Sequence, residues 1–222
     1  VVRENTEGLY AGFDQYPATN TAWSIVNKHR NTLVSGRDGT AISIRVQTRT
    51  ATMRLMKHAF GLASARRGLV TVADKPNVLR QSANLVREVL EEIQPLFPNV
   101  RAEVLNVDAV GMWMVTKPQR FDVIVAENMF GDILSDVGAG VMGGLGLASS
   151  GNIGEGFSYF EPVHGSAPRL AGTNRANPMA MFLSIAALLK HLESPDDARR
   201  VRNAVRHVLR SGETLTYDLG GS

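Results

Sequence analysis

The sequence predicts an α/β protein with a largely parallel sheet, and three observations predict it. Short apolar runs rich in β-branched residues recur at 69–73 (LVTVA), 101–107 (RAEVLNV) and 121–126 (FDVIVA). Segments with helical spacing stand between and after them, the alternation expected when helices cover a parallel sheet. Polar clusters follow the strands: DKPN (74–77), Asp108 in NVDAV, and ENMFGD (127–132). In such sheets, ligands bind beyond the carboxyl ends of the strands.

Taken in chain order, Val1 and Val2 read as the end of a strand, and Arg3 to Glu7 as a loop dense in groups that hold a small anion. With no initiator Met, the expectation is a partial chain that starts mid-domain at a functional loop. Residues 13–48 carry short apolar alternations broken by Asn, Gly and Asp, which predict two or three short strands, an arm leaving the body. From Thr50, Met53, Met56, Phe60 and Ala63 repeat at helical spacing, and Gly68 closes that helix. After the strand at 69–73, Leu85, Val89 and Ile93 place one stripe on a helix over 82–93. The strands at 101–107 and 121–126 follow, and a helix is expected to begin at Gly131. Glycines concentrate between 131 and 172, predicting a long, loop-rich ligand region. Asn177 as N-cap and Pro178 in the first helical position open a helix over 177–192. Residues 199–210 (RRVRNAVRHVLR) read as a surface helix with a charged outer face.

Composition narrows the function classes. The 222 residues are 44% hydrophobic and 20% charged, as in an ordinary globular protein. Cys is absent, which excludes disulfides and Cys-ligated metals. No apolar run is long enough to span a bilayer. The net charge of +3 comes without the aromatics or modules of a nucleic-acid binder, so neither nucleic acid nor membrane is an expected partner.

Several residues invite chemistry. Asp132 and Asp136 are four apart and share a helix face. Helix-dipole stabilisation suits Asp132 better than Asp136, whereas a divalent cation suits both, and oxygen ligands favour Mg²⁺ or Mn²⁺. Asp108, at another strand end, completes a possible set. Lys75 and Tyr10 are either proton carriers or, more simply, a surface lysine and a core tyrosine. HGSAP (164–168) and GTNRANP (172–178) frame a Gly-rich stretch that does not match the GxGxxG fingerprint. His164 there is equally a hydrogen-bonded loop residue.

Six stretches occur in a familiar order: RENTEGLYAG, DKPNVL, FGDILSD, GGLGLASSGNIG, FEPVHGSAP and ANP. Together they resemble the β-decarboxylating dehydrogenases, the isocitrate/isopropylmalate dehydrogenase family, over essentially the whole chain. The resemblance implies that family's fold, unrelated to Rossmann domains. It also implies a partial chain lacking the N-terminal third and the C-terminal end. Residues 1–142 would be the small dimerisation domain, with a clasp-like arm at about 14–48, and 143–222 the C-terminal half of the large coenzyme-binding domain.

The implied activity is metal-dependent, NAD(P)-linked oxidative decarboxylation of a 2-hydroxy acid. Isocitrate is the first choice, with 3-isopropylmalate, homoisocitrate and tartrate as alternatives. A non-catalytic regulatory subunit or an inactive fragment is the alternative of another class. By resemblance, Arg3 grips substrate carboxylates, with Asn77 near substrate and nicotinamide. Tyr10 protonates the product enol and Lys75 assists hydroxyl deprotonation. Asp108, Asp132 and Asp136 hold Mg²⁺ or Mn²⁺, and Asp108 also counts as catalytic. Lys75 and Asp108 reach the site from the partner, so the resemblance implies a homodimer with shared sites. Glu161, His164, Gly165, Ser166, Ala167, Arg169, Asn177 and Tyr217 line the coenzyme site. By resemblance, relatives that use NAD carry Asp-Ile where Arg169-Leu170 stands, and NADP-using isocitrate enzymes carry a Tyr where Tyr217 replaces the usual Pro, so the coenzyme expectation leans to NADP over NAD, with Arg169 or Arg175 as the partner of its phosphate. A cytoplasmic or organelle-matrix location is expected. Asp74 replaces the usual His before Lys75, so that DKPN leans toward isopropylmalate enzymes, whereas RENTEG leans toward isocitrate, homoisocitrate and tartrate enzymes.

Overall fold

A computed structural model describes residues 1–221, which fall into two compact units, one of residues 1–135 and one beginning at Asp136. In chain order the first holds β1 (Val2–Arg3), β2 (Asp14–Gln15), α1 (Asn20–Val26), α2 (Arg30–Ser35), β3 (Ile42–Ser43) and α3 (Arg49–Ser64). There follow β4 (Leu69–Asp74), α4 (Arg80–Ile93), β5 (Arg101–Asn106), α5 (Val107–Thr116), β6 (Val123–Ala126) and the start of α6 (Asn128–Val141).

The sheet has the order β1-β6-β4-β5, all parallel, with Val2 beside Val125, Val72 beside Val125, and Val72 beside Val104. Because β4 and β6 are the inner strands, they must be apolar, and β6 is buried throughout. Helices α3 and α4 bury Leu55, Met56, Phe60, Val86, Val89 and Ile93 against Val70, Val72, Val123 and Val125. Phe60 is fully buried, with Phe97 5.6 Å away between ring centroids. Alternation along β4 turns Thr71 and Ala73 to the other face, and α5 packs beside β4 and β5. The stripe on α4 runs through Ala83, Val86, Val89 and Ile93, which leaves Leu85 at its half-buried edge.

The arm corrects the sequence reading. Only β2 and β3 pair, antiparallel, with Gln15 opposite Ile42. The stretches read as further strands are the helices α1 and α2. Thr19 caps α1 by accepting a hydrogen bond from the Ala22 N–H, a local signal that outweighs the β-branched content.

The second unit contains β7 (Ser149–Ile153), β8 (Ser158–Pro162), α7 (Met179–His191) and α8 (Pro195–Ser211). Strands β7 and β8 form an antiparallel hairpin against which α7 packs, and α8 packs on α7. The stretch expected to be loop-rich after the start of α6 therefore also contains a hairpin. Helix α7 begins at Met179, with Pro178 as the flanking residue, yet the Asn177 side chain still accepts from the Met179 N–H at 3.0 Å. Helix α8 is the expected surface helix: Ala198 and Val205 are buried, and Asp196 and Asp197 complement its N-terminus. Among the described residues, no helix is long and apolar enough to cross a membrane.

Candidate active site

The first unit gathers its site residues at the carboxyl ends of the sheet strands in two separate clusters. The first is built by β1 and α6. Arg3, at the end of β1, donates from Nε to Asn128 Oδ1 at 2.9 Å and from Nη1 to Asp132 Oδ1. Tyr10 donates its phenol to Asp132 Oδ2 at 2.5 Å, and the Arg3 guanidinium lies 5.2 Å from the centroid of its ring. Asn128, itself 1% exposed, donates to the Glu7 carbonyl at 2.8 Å and so pins the loop to the helix. The hydrogen bond to the Asp132 carboxylate, foremost, pushes the Tyr10 phenol above its ordinary range and keeps it protonated. Tyr10 is 56% exposed, not the core tyrosine of the plainer expectation.

Gly131 gives Arg3 its path. A Cβ there would sit 2.8 Å from both Cβ and Cγ of Arg3, so the helix surface must be bare at that point. Helix α6 starts at Asn128, three residues earlier than expected, and Glu127 Oε1 caps it by accepting from the Phe130 N–H at 3.0 Å. Asp132 therefore belongs to the second turn and Asp136 to the third. Neither is in the first turn, where the dipole would account for it.

The second cluster joins β4 to α5. Lys75 follows β4 directly and donates to Asp108 Oδ1 at 2.5 Å. This bond, foremost, holds the Asp108 carboxyl below the usual range. Asp108 occupies the first turn of α5, a helix the sequence reading did not foresee, so backbone N–H groups also favour its charge. Asn77 lies in the exposed turn in which the Val78 and Leu79 N–H groups close on the Lys75 carbonyl. Among the described residues no three His, Cys, Asp or Glu side chains are grouped as a metal cage, so Asp108, Asp132 and Asp136 do not converge within one chain.

In the second unit the expected coenzyme residues from Glu161 to Asn177 lie along one stretch, and Tyr217 follows α8. Glu161 is on β8 and accepts from Asn152 at 3.4 Å. His164 Nδ1 lies 2.9 Å from the Gly165 carbonyl, and Ser166 and Ala167 lead into the turn Pro168–Leu170 that exposes Arg169. Asn177 Nδ2 donates to Asp218 at 3.0 Å, and the Arg175 guanidinium stacks 4.2 Å from the centroid of the Tyr217 ring. Sequence reasoning singled out neither Asn128 nor Asp218. The NMFGD spacing, which puts an amide one turn before Asp132, was the available signal for Asn128.

The sequence profile of the Isocitrate/isopropylmalate dehydrogenase family matches residues 1–222. Protein DlpA of Legionella pneumophila is 50% identical over 100% of this chain and 36% of its own length. A 3-isopropylmalate dehydrogenase of Methanothermobacter thermautotrophicus is 41% identical over 100% of this chain and 61% of its own. The crystal structure of isocitrate dehydrogenase from Methylococcus capsulatus superposes with a TM-score of 0.83 at 43% identity, over 98% of this chain and 60% of that one. This chain thus spans roughly a third to three fifths of the length of these relatives. Agreement with the profile over residues 1–222, and a shared α/β fold at this identity, make the chain a member of the isocitrate/isopropylmalate dehydrogenase family.

Proposed function

We propose that the protein catalyses the NAD(P)-linked oxidative decarboxylation of a 2-hydroxy acid, with the active site shared between two copies of the chain. The observation that carries this is the Arg3–Tyr10–Asp132 cluster, which puts a carboxylate-binding fork, a protonated phenol and a metal-type carboxylate within one hydrogen-bonded group. The separation of Lys75 and Asp108 from that group supports the shared site, since a second copy would supply them.

The donor set fits a hard divalent cation. Asp132 and Asp136 offer oxygen ligands one turn apart on α6, beyond the reach of the dipole explanation. Asp132, Asp136 and the partner's Asp108 would hold Mg²⁺ or Mn²⁺. When bound, such a cation makes the substrate hydroxyl more acidic and offsets the negative charge that develops as CO₂ leaves.

Arg3 binds and orients the substrate carboxylates through its planar fork. Lys75, once it has released its own proton to solvent, would accept the substrate hydroxyl proton, and Asp108, kept ionised, would hold the ammonium that results. Tyr10, kept protonated, delivers its proton to the carbon that loses CO₂. Asp132, which accepts from the phenol, orients it.

Isocitrate remains the first substrate, and Asp74 in DKPN is the specific feature that favours 3-isopropylmalate instead. NADP is the favoured coenzyme, because Arg175 stacked on Tyr217 and the exposed Arg169 suit a 2′-phosphate. A turnover screen tests the proposal: isocitrate, 3-isopropylmalate, homoisocitrate and tartrate, each with NAD and NADP, with Mg²⁺ and with EDTA. Metal-dependent turnover of one acid is expected. Turnover of none refutes the activity, and a higher kcat/KM with NAD refutes the coenzyme assignment.

A further inference from the structure

Helices α7 and α8 of the second unit frame an open groove of about 350 Å³. Four cations line it: Lys190 from the last turn of α7, and Arg199, Arg202 and Arg206 from α8. Asn203 and the buried Ala198 line it too, and among the described residues no carboxylate or aromatic ring does. Positions 199, 202 and 206 share one helix face, and at 1.5 Å per residue the row runs about 10 Å along the axis.

We propose that this groove binds an inorganic oligophosphate, a linear chain of phosphates laid along the row of cations. Like charges three and four positions apart repel and weaken a helix. Helix α8 offsets them only at its start, where Asp196 pairs with Arg199 and Asp197 with Arg200. From Ala198 to Ser211 it carries no acid. Among the described residues Lys190, Arg202 and Arg206 form no ion pair, and Arg206 donates to Asn203 at 3.2 Å. The helix dipole accounts for Lys190 and Arg210, in the last turns of their helices, but not for Arg202 in the middle of α8.

The lining decides the class of anion. Of its four positive charges Asp196 answers one, which leaves three to be matched, in a row rather than around a point. A chain of phosphates presents its negative charges in such a row, and each guanidinium offers the phosphate oxygens a planar fork of donors. A single phosphate reaches fewer of the cations at once. With no ring to stack on, the groove has nothing that reads a nucleobase. Its occupancy does not depend on the proposed activity.

Titration calorimetry of the protein with inorganic triphosphate, in EDTA and at constant ionic strength, tests the proposal. Triphosphate should bind at least about tenfold more tightly than orthophosphate, since each added charge-assisted contact is worth about that factor. Arg202→Gln should weaken triphosphate binding about tenfold, and Arg202→Gln combined with Arg206→Gln about a hundredfold. Arg200→Gln removes the same charge from α8 outside the groove and should change binding by no more than about twofold, because solvent screens it. Arg169→Gln combined with Arg175→Gln, in the expected coenzyme stretch, should leave the groove's binding in place. All five arginines are exposed, so these variants keep the fold. No binding, equal losses with Arg200→Gln and Arg202→Gln, or a loss with the 169/175 variant but not with the 202/206 variant overturns the proposal. ATP or a short thymidine oligonucleotide binding more tightly than triphosphate overturns it as well, since a base or a longer strand is then the occupant.

Discussion

The two clusters of the first unit differ in how they are held, and the difference separates preorganisation from proximity. Arg3, Tyr10 and Asp132 have buried neighbours: Asn128 ties the loop to α6, and Glu4, next to Arg3 in the chain, is buried and bonded to Thr6 and Arg54. Lys75 and Asp108 form one ion pair, with Asp108 on the surface and nothing comparable beneath. The first cluster is tied together by hydrogen bonds without any ligand. The second is held at its strand and helix ends and leaves its tips free to meet another surface.

The largest expected effect breaks the first cluster at its reacting group. Tyr10→Phe should lower overall turnover by about 10²- to 10⁴-fold, the usual value of a positioned proton donor. Hydride transfer with a supplied keto-acid intermediate should suffer less, because the role proposed for the phenol comes after CO₂ leaves. An equal loss in both partial reactions removes Tyr10 from that role.

Complementation sharpens the contrast. If the second cluster serves the partner's site, inactive Tyr10→Phe and Lys75→Met proteins, unfolded together and refolded, should recover about a quarter of normal activity, the share expected when random pairing leaves one intact site in half the dimers. No recovery means that both clusters belong to one chain's site.

A smaller effect concerns the buried neighbours. Burial raises the Glu4 pKa, but hydrogen bonds from Thr6 and the Arg54 charge outweigh it and hold the carboxyl below its usual range. Glu4→Gln should cost about 1–3 kcal/mol near neutral pH, the penalty for leaving buried partners unmatched. A depressed carboxylate pKa stabilises the fold above the unfolded value of about 4.3, and that contribution is lost as pH falls through the folded value. The variant's deficit should therefore shrink in acid in urea titrations, and a deficit independent of pH refutes the charge argument.

The smallest effect belongs to the surface pair. Asp108→Asn should leave the melting temperature within error of the unmutated protein, as exposed ion pairs contribute little, while abolishing stabilisation by Mg²⁺ in the presence of substrate. A large fall in the melting temperature without ligand would make Asp108 structural.

What the sequence disclosed follows the strength of its local signals. The strands at 69–73 and 121–126 and the helix over Arg49–Ser64 were legible because buried elements need unbroken or strictly periodic apolar residues. Helix α5 was not, because Val107 follows β5 with no intervening turn residues and Asn106 offers no side-chain cap. The arm was misread because Ile25, Leu33 and Val34 are exposed, so their spacing reports no core. Hairpin β7/β8 hid behind its glycines. In the site, Asp132 and Tyr10 were legible as members of motifs, whereas their bond to each other spans 122 positions and belongs to the fold alone.

The bare spot at Gly131 constrains how this site can change over generations. Arg3 can be exchanged for a shorter side chain one mutation at a time, each step leaving space behind it. Gly131 has no such neighbour in sequence space while Arg3 is present, because even a methyl group there collides with the Arg3 stem. Drift at the two positions must then be ordered. The arginine has to go first, and a lineage that loses it and then fills the gap with a larger residue at 131 is cut off from regaining the original grip by a single reversal.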